Sequence, residues 1–340
     1  MVVSGVKTEH ADRAAEPDAA RSVGGGLFAD PAPSNAVRED PELARQRAIQ
    51  GDKASRLQFF KQRVILTRAF QSALDTACFL VDQAEYVDEP GGLMVLGEGG
   101  CGKSFLGEQL IARYPRHETL YRLEVPVALV DLYSGPDEKD VMIAILEQHG
   151  ERVSRNDVTA NTLEDKLVAS FARVGGRCLV LDEAQRLATF TASKRKSDRL
   201  MGPVGERIKR IYSRARIAII LLGTPALRDL IDSDAQYRTR WSAAVTLQPF
   251  ERDSVFLGVL NGLSRALPLA GPSLLSSEEV GYAIWDACEG YFRRLKNLLT
   301  NALAIALDEG ATSIQVRHLR VAFVRTGNSD MANPFDRLKG

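Results

Sequence analysis

The sequence predicts an α/β fold built on a parallel sheet, and three observations carry that prediction. Short apolar runs recur along residues 89–250 and alternate with helical stretches, as strands buried on both faces do. The first run, Leu93-Met94-Val95-Leu96, leads into Gly97-Glu98-Gly99-Gly100-Cys101-Gly102-Lys103-Ser104 and then into a helical stretch, Ser104 to Ile111. A later run, Cys178-Leu179-Val180-Leu181, ends in Asp182-Glu183. Strand, glycine loop and helix in succession, followed downstream by a buried strand with acids at its C-terminal edge, is the arrangement a phosphate site requires.

The elements follow in order. Residues 1–40 are rich in Ala, Gly, Pro, Ser, Asp and Glu without periodicity, and are expected as a disordered tail. Residues 41–88 repeat apolar positions every three or four residues, a helical lead-in. Within the 89–250 core, strands are expected at 93–97, about 126–132, 178–182, 217–222 and about 244–248. Residues 251–327 read as a small all-helical lid. There Ser276-x-x-Glu279 fits a capping box, and Tyr291 to Leu299 opens a long amphipathic helix. Residues 328–340 are left as a C-terminal tail.

The glycine loop is G-x-x-x-x-G-K-S, the phosphate-binding P-loop, and it implies a nucleoside triphosphate. The expected cradle is Gly97, Gly99, Gly100, Cys101, Gly102, Lys103, Ser104 and Phe105. Its glycines let backbone N–H groups turn inward, and the following helix points its positive dipole end at the phosphates. Lys103 is expected to reach the β- and γ-phosphates, and the Ser104 hydroxyl to ligate Mg2+. Asp182 would hold the same ion through water, and Glu183 would orient and polarise the attacking water, so the expected cofactors are ATP and Mg2+.

Composition bounds the rest. The chain has 340 residues, with 45% hydrophobic and 26% charged, ordinary for a globular protein. Formal net charge is zero, so affinity for nucleic acid requires a local patch. No apolar stretch approaches transmembrane length, and Cys78, Cys101, Cys178 and Cys288 lack disulfide or metal spacing, which together suggest a reduced, cytoplasmic protein. Cys101 reads as a small residue filling a loop position rather than a redox sensor.

A P-loop core followed by a helical lid resembles the AAA+ ATPases. In that resemblance Thr224, in Gly223-Thr224-Pro225, stands as sensor 1, touching the γ-phosphate or the attacking water. Gly290-Tyr291-Phe292-Arg293-Arg294-Leu295 is similar to the sensor 2 pattern, with Arg293 reaching from lid to phosphates. Gln236-Tyr237-Arg238-Thr239-Arg240-Trp241 is placed like an arginine-finger segment, with Arg240 as the finger and Arg238 as the alternative. Within AAA+, residues 41–335 resemble the TniB family of transposition ATPases, relatives of TnsC and MuB. Carrying the likeness are Asp182-Glu183-Ala184-Gln185-Arg186-Leu187, Leu222-Gly223-Thr224-Pro225 and Asn333-Pro334-Phe335. Family members often have His where this chain has Gln185. The resemblance implies an ATP-dependent regulator that oligomerises on duplex target DNA, as a homo-oligomer or filament, and recruits a partner transposase.

Residues 194–216 supply a local basic excess: Lys194, Arg195, Lys196, Arg199, Arg207, Lys209, Arg210, Arg214 and Arg216 against Asp198 and Glu206. Lys194, Arg195 and Lys196, in a stretch that reads as a loop, are the leading DNA-binding candidates. Glu206 to Tyr212 reads as a helix with a basic face, which most often is simply solvated. Lys139, in the loop 134–139, is a second candidate, flanked by Asp137 and Glu138. An AAA+ loader or secretion-linked ATPase acting on a protein partner would share every nucleotide residue and is the alternative class.

Overall fold

The computed structural model describes residues 40–63, 67–133, 135–187, 202–327 and 332–338. Lys194, Arg195 and Lys196 lie outside them.

Three helices lead in: α1 (Pro41–Gln50), α2 (Lys53–Gln62) and α3 (Arg68–Gln83). Asp40, Asp52 and Thr67 cap them, each side chain accepting an otherwise orphaned N–H of the first turn. The core then runs β1 (Gly92–Leu96), α4 (Lys103–Arg113), β2 (His117–Glu118), β3 (Leu123–Glu124), β4 (Val127–Asp131), α5 (Glu138–Gln148), α6 (Ala160–Val174), β5 (Cys178–Asp182), α7 (Gly202–Ala215), β6 (Ala218–Gly223), α8 (Ala226–Asp232), α9 (Ala235–Arg240) and β7 (Ala243–Thr246). The lid comprises α10 (Ser254–Ala266), α11 (Glu278–Cys288), α12 (Phe292–Asp308) and α13 (Val316–Arg325).

Five strands pair in the order β4-β5-β6-β1-β7, all parallel. The chain leaves β1 for the far edge at β4, returns through β5 and β6, then crosses to the other side of β1. The order therefore reverses at β1, and a crevice outside the strand ends opens at such a switch point. The five expected strands all form, within a residue or two of their expected limits. β1, β5 and β6 are buried at every position, because helices cover both faces. Phe70, Ala73, Ala77 and Val81 of α3, with Leu106 and Leu110 of α4, pack on one face. Val141, Met142 and Ile145 of α5, Leu163, Leu167 and Phe171 of α6, and Ile208 and Ile211 of α7 pack on the other. The two-stranded hairpin β2–β3 was not anticipated; its strands are two residues long, too short to carry a period.

The lid has its own apolar cluster, and chain from both ends of the sequence enters it. Phe60 of α2 and Phe335 are fully buried there. Arg45 donates to the carbonyls of Leu267 and Leu269, and Arg56 to that of Pro268, fixing α1 and α2 on the lid rather than on the sheet. Asn333 donates to Arg320 O at 3.0 Å and accepts from Phe335 N at 3.1 Å, so the Asn-Pro-Phe segment forms a turn that delivers its ring against Phe323. Residues 332–338, expected within a tail, thus fold back on the lid. The expected capping box at Ser276 does not form. α11 begins one residue later behind Ser277, whose hydroxyl donates back to Leu274 O.

Candidate nucleotide site

The C-terminal ends of β1, β6 and β5 lie side by side, and each carries one sequence-predicted element. The P-loop leaves β1, Thr224 follows β6, and Asp182-Glu183 ends β5. In the loop, Gly100 and Gly102 both take positive φ, 91° and 101°, leading into α4 at Lys103. Lys103 is only 6% exposed. Its ammonium donates to Gly97 O at 2.7 Å and Glu98 O at 2.9 Å, spanning the loop from within and leaving one of three N–H donors. Ser104 follows in the first turn of α4, half-buried.

Asp182 is 6% exposed, and its Oδ1 accepts from Glu183 N at 2.8 Å. A buried carboxylate with one oxygen oriented by its own backbone, across the strand ends from a helix-terminal hydroxyl, suits Mg2+, which takes one or two protein oxygens and otherwise phosphate and water. Ser104 and Asp182 are the residues that would hold the ion. Glu183 sits at φ 55°, a left-handed conformation rare for a non-glycine residue and of a kind that gathers at functional sites.

The lid closes the site. Gly290 has φ 74°, and a Cβ there would stand 2.2 Å from Phe250 O, so only glycine permits this approach. Phe250 N in turn donates to Gly290 O at 2.9 Å. This contact sets the start of α12 against the P-loop, where Arg293 N donates to Gly100 O at 3.0 Å. Gly99, Lys103, Ser104, Glu183 and Arg293 line one open cleft of about 520 Å³. Residues that sequence reasoning missed share it: Lys61 and Arg63 from the end of the lead-in, and Lys296, Asn297 and Asn301 from α12. Nothing local in the sequence marks them, because Lys61 and Arg63 reach the cleft through the docking of α2 on the lid, and the α12 residues through the docking of the lid on the P-loop.

Beside the P-loop lies a smaller apolar recess bounded by Thr67, Phe70, Cys101, Phe105, Leu247 and Phe292. Phe105 sits 5.7 Å, ring centroid to centroid, from both Phe70 and Phe292, linking lead-in, P-loop helix and lid. Cys101 is 8% exposed, and burial raises its pKa against the opposing pull of Lys103, so it stays a thiol and fills the loop.

The arginine-finger candidates differ in surroundings. Arg240 is half-buried, donates to Gln236 O at 3.1 Å, and lies 5.7 Å above the Tyr212 ring, with its Nε buried and unpartnered. Arg238 is exposed. Neither approaches the cleft of its own chain.

The basic helix behaves otherwise. Arg207 pairs with Glu138 and Glu164, and Arg210 and Arg214 converge on the same buried Glu164, with Arg214 also on Asp165. Lys209 meets Glu206, Gln236 and the Tyr237 ring, and Arg216 meets Asp88. The basic face of α7 is consumed by internal ion pairs. Lys139, in the first turn of α5, donates to Val158 O at 2.7 Å and Arg155 O at 3.4 Å.

No helix among the described residues is long and apolar enough to cross a membrane. No curated protein matches the chain. Among solved structures, the fold is similar to the Orc1 protein of Aeropyrum pernix in complex with DNA, at 18% identity and TM-score 0.55, covering 77% of this chain and 66% of that one. It is also similar to the Aeropyrum pernix ORC2 protein in ADPNP-ADP complexes, at 16% identity and TM-score 0.56, covering 76% and 68%. Cdc6p from Pyrobaculum aerophilum matches at 17% identity and TM-score 0.54, covering 80% and 70%. The chain thus spans about two thirds of the first of these, and the likeness concerns the fold. The family described as Bacterial TniB protein matches residues 56–252, more than half of the sequence. With its P-loop, Asp-Glu strand end and lid assembled around one cleft, the chain is a P-loop ATPase of the AAA+ fold and belongs to the TniB family.

Proposed function

We propose that this protein is an ATP-dependent regulator of transposition that assembles as a homo-oligomer or filament on duplex target DNA and recruits or activates a partner transposase. The observation that carries the reading is the cleft itself, in a member of the TniB family: P-loop residues, Glu183 and the lid's Arg293 line it together, with the ends of the adjacent strands carrying Asp182 and Thr224 alongside.

In this reading Gly97 to Phe105 hold the triphosphate. Ser104 and Asp182 would hold Mg2+, which supplies charge neutralisation across the phosphate oxygens when bound. Lys103 clamps the terminal phosphates and Glu183 orients water for in-line attack. Thr224, at the end of the strand between those carrying the P-loop and Glu183, would read the γ-phosphate. Arg293 contributes a guanidinium from the lid, and Arg240 or Arg238 one from a neighbouring subunit, each stabilising charge on the transferring phosphoryl group. The exposed Arg238 is the freer of the two to enter a neighbour's site.

DNA contacts are assigned to Lys194, Arg195 and Lys196, with Lys139 secondary because its ammonium already serves two carbonyls. The pairing of α7 removes it as a broad basic DNA face, so the DNA-directed and protein-directed readings need one discriminating experiment. ATP hydrolysis is measured with and without duplex DNA, alongside imaging of the ATP-bound protein. Stimulation by DNA together with ordered assemblies supports the transposition reading. DNA-independent turnover without DNA association supports the loader reading.

A further inference from the structure

The turn after β5 carries a side chain that the nucleotide motifs do not account for. We propose that Gln185 is a positioning residue for ATP hydrolysis: it ties the Glu183 carboxylate to the backbone of the turn that bears Thr224. The proposal deepens the ATPase reading of this site and rests on it.

The geometry is specific. Gln185 Nε2 donates to Glu183 Oε2 at 2.7 Å, and Thr224 N donates to Gln185 Oε1 at 3.1 Å. Both partners dictate which way the amide faces. A backbone N–H can only donate, so the amide oxygen must face it. An ionised carboxylate can only accept, so the NH2 group must face that. Rotating the amide by half a turn would lose both bonds. A Cβ at position 223 would stand 2.9 Å from Gln185 Oε1, so glycine before Thr224 is what lets the amide come this close.

Glu183 itself has little remaining freedom. Its backbone is held at φ 55°, its N–H donates to Asp182 Oδ1 at 2.8 Å, and its carbonyl accepts from Arg186 N at 2.9 Å. Only the side-chain torsions are left, and Gln185 fixes them by gripping Oε2. Arg186 Nη2 lies 3.5 Å from the same oxygen, while Arg186 Nη1 donates to Leu132 O just beyond β4. Among the described residues Oε1 has no partner and is the oxygen left to meet water. The amide therefore couples the ends of β5 and β6. A shift of the Thr224 turn against phosphate moves the Glu183 carboxylate through one side chain, and a displacement of about 1 Å at a reacting group is enough to cost roughly 100-fold in rate.

Three substitutions test this. Gln185→Glu keeps the acceptor toward Thr224 N–H and nearly the same volume, but replaces the donor facing Glu183 with a second carboxylate oxygen. Gln185→Ala removes both functions. Gln185→His keeps one N–H donor and one acceptor nitrogen. Expected are kcat losses of about 10- to 100-fold in Gln185→Glu and Gln185→Ala, with KM for ATP and affinity for a non-hydrolysed analogue within about twofold of wild type, and at least partial recovery in Gln185→His. Wild-type kcat in Gln185→Glu would overturn the proposal, since the amide would then serve only to cap the Thr224 turn. So would a parallel loss of analogue affinity in all three variants, the mark of a merely structural residue. Lys103→Ala, measured beside them, separates the two claims: if it binds ATP normally, the nucleotide site itself is misplaced.

Discussion

The nucleotide cleft and the exposed face of α7 both gather cations, and they hold them in opposite ways. In the cleft, Lys103 is held by the carbonyls of Gly97 and Glu98, and Lys296 by those of Phe60 and Arg63 and by the Phe60 ring. Carbonyls and rings orient a cation without cancelling its charge. On α7, Arg207, Arg210 and Arg214 are held by Glu138, Glu164 and Asp165, which cancel it. The first arrangement keeps positive potential for an incoming phosphate; the second uses it to fasten α7 to α5 and α6. Counting positive residues does not separate a binding surface from a clamp, whereas the chemistry of each cation's partner does.

The comparison can be broken at its strongest point first. Lys103→Ala should weaken ATP binding by roughly 10- to 150-fold, because the charge-assisted contact that its remaining donor makes to phosphate is worth about 1.5–3 kcal/mol. Titration with a fluorescent nucleotide checks it, and wild-type affinity would refute the assignment. Glu183→Gln should retain that affinity while hydrolysis falls about 100- to 10,000-fold, the usual worth of a positioned base, as a single-turnover assay would show.

On α7 the expected loss is of stability, not of binding. Arg207→Ala should destabilise the fold by roughly 2 kcal/mol, less than for a fully broken buried pair because Arg210 and Arg214 still face Glu164. DNA affinity should not change. Denaturant unfolding and a DNA titration of the same preparation distinguish the two effects, and a selective DNA defect would restore α7 as a binding face.

The smallest effect concerns Lys296, whose pKa burial lowers to about 8. Between that value and the ordinary lysine range the unfolded chain binds the extra proton, so stability rises with pH there and is lost as pH falls through 8. Relative to Lys296→Met, wild type should gain about 1 kcal/mol between pH 8 and pH 9, measured by denaturant unfolding at each pH. A flat difference would mean that the two carbonyls hold the ammonium charged throughout.

What the sequence disclosed follows the same division. The parallel sheet was legible because strands covered on both faces must be continuously apolar, and 178–181 and 217–222 are. The P-loop and Asp182-Glu183 were legible because their chemistry requires fixed residue types at fixed spacing. The partners of α7 were not, since Glu164 lies more than forty residues upstream of Arg207 in an unremarkable helical stretch. Lys61 and Lys296 escaped for a related reason: one is brought to the cleft by docking α2 onto the lid through Phe60, the other by docking α12 on the P-loop, tertiary contacts without a local signature. Gln185 was noticed only as a departure from family usage, and its two hydrogen bonds emerge once β5 and β6 are adjacent.

The most direct test of the account is a salt titration of duplex DNA affinity with a non-hydrolysed ATP analogue, for wild type and for the variant with Lys194, Arg195 and Lys196 all changed to Ala. The account predicts ATP-strengthened binding by wild type and affinity that falls steeply with salt. In the variant it predicts weaker binding and a log–log slope shallower by up to about 0.9 for each lost phosphate contact, with nucleotide affinity unchanged. An unchanged slope and affinity in the variant would move the DNA path elsewhere, and no measurable binding by wild type would contradict the DNA-directed function itself.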